Sequence, residues 1–191
     1  MFDTQVAAFS ADYRCVAWDE RGFGETQATG PFTYWDSAAD AIALLDHLGI
    51  DDAVFVGMSQ GGFLSMRAAL GAPTRVRALV NIDTAADVDD EETLEGYLGM
   101  LGAFTSGDPE VVDTVAQGVA GLILGDEALA AEWIPRWKQR LDVHDITVSG
   151  GALLARDDIS ADVHQIACPV LVIHGSEDQA IDLTRAQQVA E

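Results

Sequence analysis

Positive charge is scarce in this chain. Ten Lys and Arg, with Lys138 the sole lysine, stand against 32 Asp and Glu, a formal net charge of -22. A surface this acidic repels phosphate backbones and anionic headgroups, which argues against nucleic acid or a membrane as partner. We read it as a solvated, solubilising surface rather than a docking face. Cysteine is also rare: Cys15 and Cys168 are too few for a disulfide framework and lack metal-ligand spacing. Both are expected as buried free thiols in a reducing cytoplasm. No apolar run approaches the roughly 18 residues of a membrane span. The opening stretch "MFDTQVAAFSADYRC" has no basic segment leading into an apolar one, so no secretory signal is expected and the location is read as cytoplasmic.

What is present is a core. Apolar residues make up 49% of 191, enough for one well-filled domain. "YRCVAW" (Tyr13 to Trp18) reads as a buried strand running into the glycine-bearing loop "DERGFGET". From Ser37, "SAADAIALLDHLG" reads as a helix: Ser37 and Asp40 fit a capping box, Ile42, Leu45 and Leu48 recur at helical spacing, and Gly49 suits the position past its end. "AVFVG", "VRALVNID" and "PVLVIHG" read as strands, "GGFLSMRAALG" and "DLTRAQQVAE" as helices. Strand and helix alternating with short links predict a parallel sheet covered on both faces. Between Thr84 and Ile166 no strong strand pattern occurs. Helices are expected there over 92–104, 109–124, 128–141 and 146–155, with Pro135 kinking or dividing the third. That stretch is too long for a simple connection and reads as an inserted helical cap.

One serine stands out. Gly57-Met58-Ser59-Gln60-Gly61 lies between a strand and a helix, the context in which Gly-x-Ser-x-Gly forms a nucleophile elbow. The turn strains the serine backbone, so Gly57 and Gly61 are expected to make room around it. It would lift the hydroxyl above the sheet edge and aim the Gln60 N–H at the place where negative charge develops on a substrate oxygen.

Three blocks together resemble the α/β-hydrolase superfamily in its capped esterase and lactonase-like branch. "VAWDERGFGET" is similar to its Asp-x-Arg-Gly-x-Gly loop, "VFVGMSQGG" to its elbow, and "IACPVLVIHGSEDQAI" to the strand that carries its acid. The likeness runs over essentially the whole chain. It implies an α/β fold: a parallel sheet with flanking helices, incomplete here, formed by 1–84 and 167–191, with a helical cap over 85–166. It implies Ser59 as nucleophile, Asp178 as triad acid and Gln60 N–H in the oxyanion hole, with Asp83 past the "VRALVNI" strand as the other acid some relatives would use. Asp19, Arg21, Gly22 and Gly24 are expected to do structural work, the two charged side chains tying their loop together. The implied reaction is acyl transfer on a small or medium, partly apolar ester or lactone, with no metal or organic cofactor required.

The weak point is the base. A serine hydroxyl needs an imidazole within about 2.6–3.2 Å, and the family order is serine, acid, histidine. Thirteen residues follow Asp178 and none is a histidine. Of the four histidines, His47 and His164 read as structural, while His174 and His144 are the candidates that could approach the site. The loop that supplies a second oxyanion N–H is not recognisable either. The sequence is therefore expected to be a central portion of a longer hydrolase, inactive alone. Cap aromatics Tyr97, Phe104, Trp133 and Trp137 would form an apolar pocket or simply core. A non-catalytic ligand-binding protein, and a carbon–carbon bond hydrolase or perhydrolase, remain alternatives.

Overall fold

The computed structural model describes residues 2–141 and 144–190. Three parallel strands, β1 (Ala53–Met58), β2 (Val76–Ile82) and β3 (Val170–Ile173), form one sheet in the order β1-β2-β3. Their ends are level: Met58 is in register with Ile82, and Ile82 with Ile173. Whatever follows each strand therefore emerges side by side at one carboxyl edge, the edge where parallel sheets build their sites.

Helices α1 (Asp3–Phe9) and α2 (Tyr34–His47) precede the sheet, α3 (Gln60–Gly71) joins β1 to β2, and α8 (Leu183–Ala190) follows β3. Helix α3 is buried over eight consecutive residues, Gly62 to Ala69, and is therefore the centre of the core. Met66, Ala68, Val76, Leu79 and Ile159 form one cluster; Tyr34, Ala41, Phe63 and Leu64 form a second beside it. Burying one such Leu or Met contributes roughly 1.5–3 kcal/mol. Helix α2 begins three residues earlier than expected. Thr33 adopts an extended backbone and exchanges hydrogen bonds with Asp36, so the capping box is Thr33–Asp36. Ser37 is instead buried inside the helix, and Asp40 binds Arg21.

The sheet departs from expectation in two ways. Residues Tyr13 to Trp18 form no strand and pair with none among the described residues, and Tyr13 and Val16 are exposed. A strand is a property of a pair, and with no neighbour its apolar run stays unladdered. Correspondingly, only one sheet face is well covered. Leu79 and Asn81 face α3 and are buried, whereas Val54, Val56, Leu171 and Ile173, in register on the other face, are each about half exposed. Helix α1 buries no residue and does not shield them. Both cysteines are free and half-buried rather than fully so.

After β2 come four helices, α4 (Glu91–Phe104), α5 (Pro109–Ile123), α6 (Glu127–Leu141) and α7 (Ile146–Leu154). Asp90, Asp108 and Asp145 cap three of them by accepting a backbone N–H in the first turn. Helix α6 runs undivided through Pro135. The α5–α6 pair has its own small cluster of Ala116, Ala120 and Ile134, against which Phe104 and Trp137 pack. Among the described residues no helix is long and apolar enough to cross a membrane.

Candidate active site

The chain reverses sharply between β1 and α3, and Ser59 is the pivot. Its backbone sits at φ 50, ψ -114, a region an L-residue enters only when its surroundings force it. Those surroundings are a set of hydrogen bonds. Ser59 N–H donates to Ile82 O at 2.9 Å, its carbonyl accepts the Thr84 hydroxyl at 2.9 Å, and the same carbonyl accepts Gly62 N–H at 2.9 Å. The serine side chain is thereby held at the sheet edge at the N-terminus of α3. Gln60 is the first residue of that helix, so its N–H has no acceptor one turn back and is left for another oxygen.

The glycines around the pivot divide their roles differently from expectation. A Cβ on Gly57 would lie 2.2 Å from the Gly61 carbonyl oxygen, and one on Gly62 would lie 2.5 Å from Thr84, whereas a Cβ on Gly61 meets nothing within 4 Å. The required close approaches are thus of Gly57 to the Gly61 backbone and of Gly62 to Thr84. Gly57→Ala is expected to cost about 1–3 kcal/mol through overpacking, while Gly61→Ala stays within about 1 kcal/mol of the parent. Urea unfolding of the two variants checks this; equal losses would contradict the steric assignment.

At the ends of β2 and β3, Asp83 and Asp178 flank one imidazole. Asp83, also in the left-handed region at φ 44, accepts Gly175 N–H through Oδ1 at 2.8 Å. Asp178 Oδ1 accepts the N–H groups of Ala180 and Ile181 at 2.8 and 3.1 Å. His174 lies between them, its Nδ1 3.7 Å from Asp83 Oδ1 and its Nε2 3.4 Å from Asp178 Oδ2. Its side chain is only 3% exposed. His174 Nε2 is 2.7 Å from Ile181 O. A carbonyl can only accept, so Nε2 carries the proton.

The four histidines can now be placed. His47 is exposed in the last turn of α2, and His164 is exposed in a short 3₁₀ turn, Val163–Gln165. His144 is buried with Nε2 2.7 Å from Gly24 O, so it fastens the helical segment to the 19–26 loop. His174 is engaged with Ile181. Among the described residues no imidazole is hydrogen-bonded to the Ser59 hydroxyl.

The 19–26 loop is structural, with its charged residues working separately. Asp19 Oδ2 accepts Glu25 N–H at 3.1 Å and packs so close that a Cβ on Gly24, at φ +51, would overlap it at 2.1 Å. Arg21 reaches away to Asp40 through two bonds of 2.6 Å. The sequence offered no sign of Glu20 or Arg140. Arg140 donates to Gly22 O at 2.9 Å and to Ser149 Oγ at 2.8 Å, and lies 3.7 Å over the Phe23 ring. Burial pushes the Glu20 carboxyl up to about 7. The expected aromatic pocket is divided: Phe104 and Trp137 are core, Trp133 stacks with Arg136, and Tyr97 is half-buried. A cavity of about 770 Å³ lined by Phe104, Val112, Ile134, Lys138 and His144 includes neither Ser59 nor Asp178.

With this geometry in view, the comparisons with known proteins agree on one family. A family model described as "alpha/beta hydrolase fold" matches residues 1–191, and the chain belongs to that family. It is 28% identical over 201 residues to 3-oxoadipate enol-lactonase 2 of Acinetobacter baylyi, covering 100% of this chain and 71% of the relative. Among solved structures it resembles a hydrolase from Pseudomonas aeruginosa, with TM-score 0.80, 26% identity, and coverage of 100% of this chain and 72% of that one. It also resembles the enol-lactonase from Burkholderia xenovorans, with TM-score 0.76, 26% identity, and coverage of 99% and 72%.

Proposed function

We propose that this chain carries the nucleophile, the acid and one oxyanion donor of a serine hydrolase acting on small carboxylic esters or lactones. The observation that carries the reading is the forced pivot at Ser59 beside an unused α3 N–H, on the same sheet edge as Asp178. Similarity to two enol-lactonases supports a lactone or enol ester as substrate class. Helices α4 to α7, within 85–166, would form the cap over that edge. In the reaction Ser59 Oγ attacks the carbonyl carbon and gives its proton to an imidazole that Asp178 orients. The Gln60 N–H holds the oxyanion. The intermediate collapses by breaking the bond to the ester oxygen, which takes the proton back; in a lactone that oxygen stays tethered as the ring opens. Water then adds to the serine ester and releases the acid.

Among the described residues no histidine is hydrogen-bonded to Ser59, so this reading takes its imidazole from outside these four groups. Added imidazole supplies it. With p-nitrophenyl acetate the chain alone is expected to run near the Ser59→Ala background, and imidazole to add a Ser59-dependent component. General-base assistance of this kind is worth about 10²-fold or more. If Ser59→Ala matches the parent with and without imidazole, Ser59 is not the nucleophile and a ligand-binding role is left. Strong Ser59-dependent turnover without imidazole means that one of the chain's own histidines serves.

A further inference from the structure

The Asp83–His174–Asp178 cluster is built more elaborately than orienting one catalytic imidazole requires. One ligand atom from each residue lies within 4.8 Å of the other two. The buried His174 Nδ1 has no hydrogen-bond partner in the structure. With Nε2 donating to Ile181 O, a neutral imidazole presents its Nδ1 lone pair toward Asp83 Oδ1 at 3.7 Å, too long for a direct hydrogen bond. An orphaned acceptor aimed at a carboxylate is unfavourable unless a proton or a metal cation lies between them.

We propose that Asp83, His174 and Asp178 form a binding site for a first-row divalent transition ion of the zinc type. Metal-bound imidazoles donate their other N–H to a carbonyl or carboxylate, and ligating carboxylates are themselves hydrogen-bonded; both features are present here. Ile181 O takes the imidazole proton, Gly175 N–H orients Asp83, and the Ala180 and Ile181 N–H groups orient Asp178. One nitrogen and two carboxylate oxygens suit such an ion, at about 2.0–2.2 Å from each ligand. Two such arms span about 4.2 Å, so the 3.7 Å gap between Nδ1 and Asp83 Oδ1 admits an ion. Asp83, 36% exposed, leaves a way in from solvent. An ion held there occupies Asp178 and opposes its use by a catalytic imidazole; that consequence rests on the hydrolase reading, whereas binding does not.

The test is titration of the full chain with Co²⁺, read by visible absorption, and with Zn²⁺ by calorimetry, with Mg²⁺ as the control for an acidic surface. One equivalent of Co²⁺ is expected to bind saturably, to be displaced by Zn²⁺ and not by Mg²⁺. Asp83→Asn, which keeps an acceptor for Gly175 N–H, and His174→Gln should each weaken binding at least about tenfold, with circular dichroism confirming the fold. Ser59→Ala should bind like the parent. Absence of saturable binding, displacement by Mg²⁺, or unchanged affinity in Asp83→Asn overturns the proposal and leaves the cluster as a histidine shared by two carboxylates. Zn²⁺ binding without Ser59-dependent acyl chemistry leaves the site standing and removes only its inhibitory consequence.

Discussion

Asp89→Ala is expected to cost about 3–5 kcal/mol of folding stability, read as a lowered urea midpoint at unchanged slope. Asp89 Oδ2 accepts Arg156 at 2.7 Å, with side chains 4% and 3% exposed, and its Oδ1 accepts Arg185 at 2.6 Å. Arg156 follows α7 and Arg185 lies in α8, so one carboxylate joins the connection after β2 to two distant segments. Removing it leaves the Arg156 guanidinium buried over the Phe63 ring with Leu153 O as its remaining hydrogen-bond acceptor. Arg185 loses less, because Asp87 still accepts its Nε–H at 2.8 Å. Burial raises the Asp89 carboxyl, but the two guanidinium groups outweigh it and hold it below the ordinary range. A depressed carboxylate contributes stability above its unfolded pKa of about 3.9 and loses that contribution as pH falls. The parent and Asp89→Ala should therefore converge in acid. A loss under about 1 kcal/mol at pH 7 would mean that the buried charge is otherwise compensated.

The parts of the fold that were legible in the sequence are those set by local pattern. Apolar runs ending at Gly57 and before Gly175 mark β1 and β3, and the elbow between β1 and α3 follows from Gly-x-Ser-x-Gly in that context. Asp90, Asp108 and Asp145 punctuate the helices of the 91–154 segment closely enough that their bounds fall within a residue or so of expectation. What was not legible depends on distant groups. Thr33-x-x-Asp36 and Ser37-x-x-Asp40 are the same pattern four residues apart. The choice between them is made by Arg21, which takes Asp40, and by the burial of Ser37. Tyr13 to Trp18 carries a strand's composition, yet composition does not supply a neighbouring strand.

The candidate site divides in the same way. Ser59, Gln60 and Asp178 were nameable because each follows a recognisable run. The pairing of His174 with both Asp83 and Asp178 was not, since it arises only when the ends of β2 and β3 come into register. Gly62 was passed over for Gly61 because the motif fixes spacing, whereas the crowding comes from Thr84, on a different element.

Glu20→Gln is expected to stabilise the chain at alkaline pH and to flatten its stability profile. Glu20 precedes Arg21 in the loop that Arg140 clasps, and its Oε1 is buried without a hydrogen-bond partner. Burial is the main cause of its rise from 4.5 to about 7, with Asp40 adding to it; the Ser37 hydroxyl, Arg21 and Arg140 pull the other way. The sign follows from proton counting. Between pH 4.5 and about 7 the folded chain binds a proton that the unfolded chain has released. Stability from this group is therefore fully present below pH 4.5 and is lost as pH rises through 7. At about 1.4 kcal/mol per pKa unit, the loss by pH 8 is about 3 kcal/mol. Glutamine keeps the shape and never ionises, so the two proteins should match near pH 5 and separate by that amount at pH 8, with the variant the more stable. Urea unfolding across this range decides it: profiles that stay parallel from pH 5 to 8 would show that the Glu20 carboxyl reaches water. If they separate, the join between the 19–26 loop and α6 contains a group that is neutral in mild acid and charged in mild base, close enough to the Arg140 guanidinium to feel its charge.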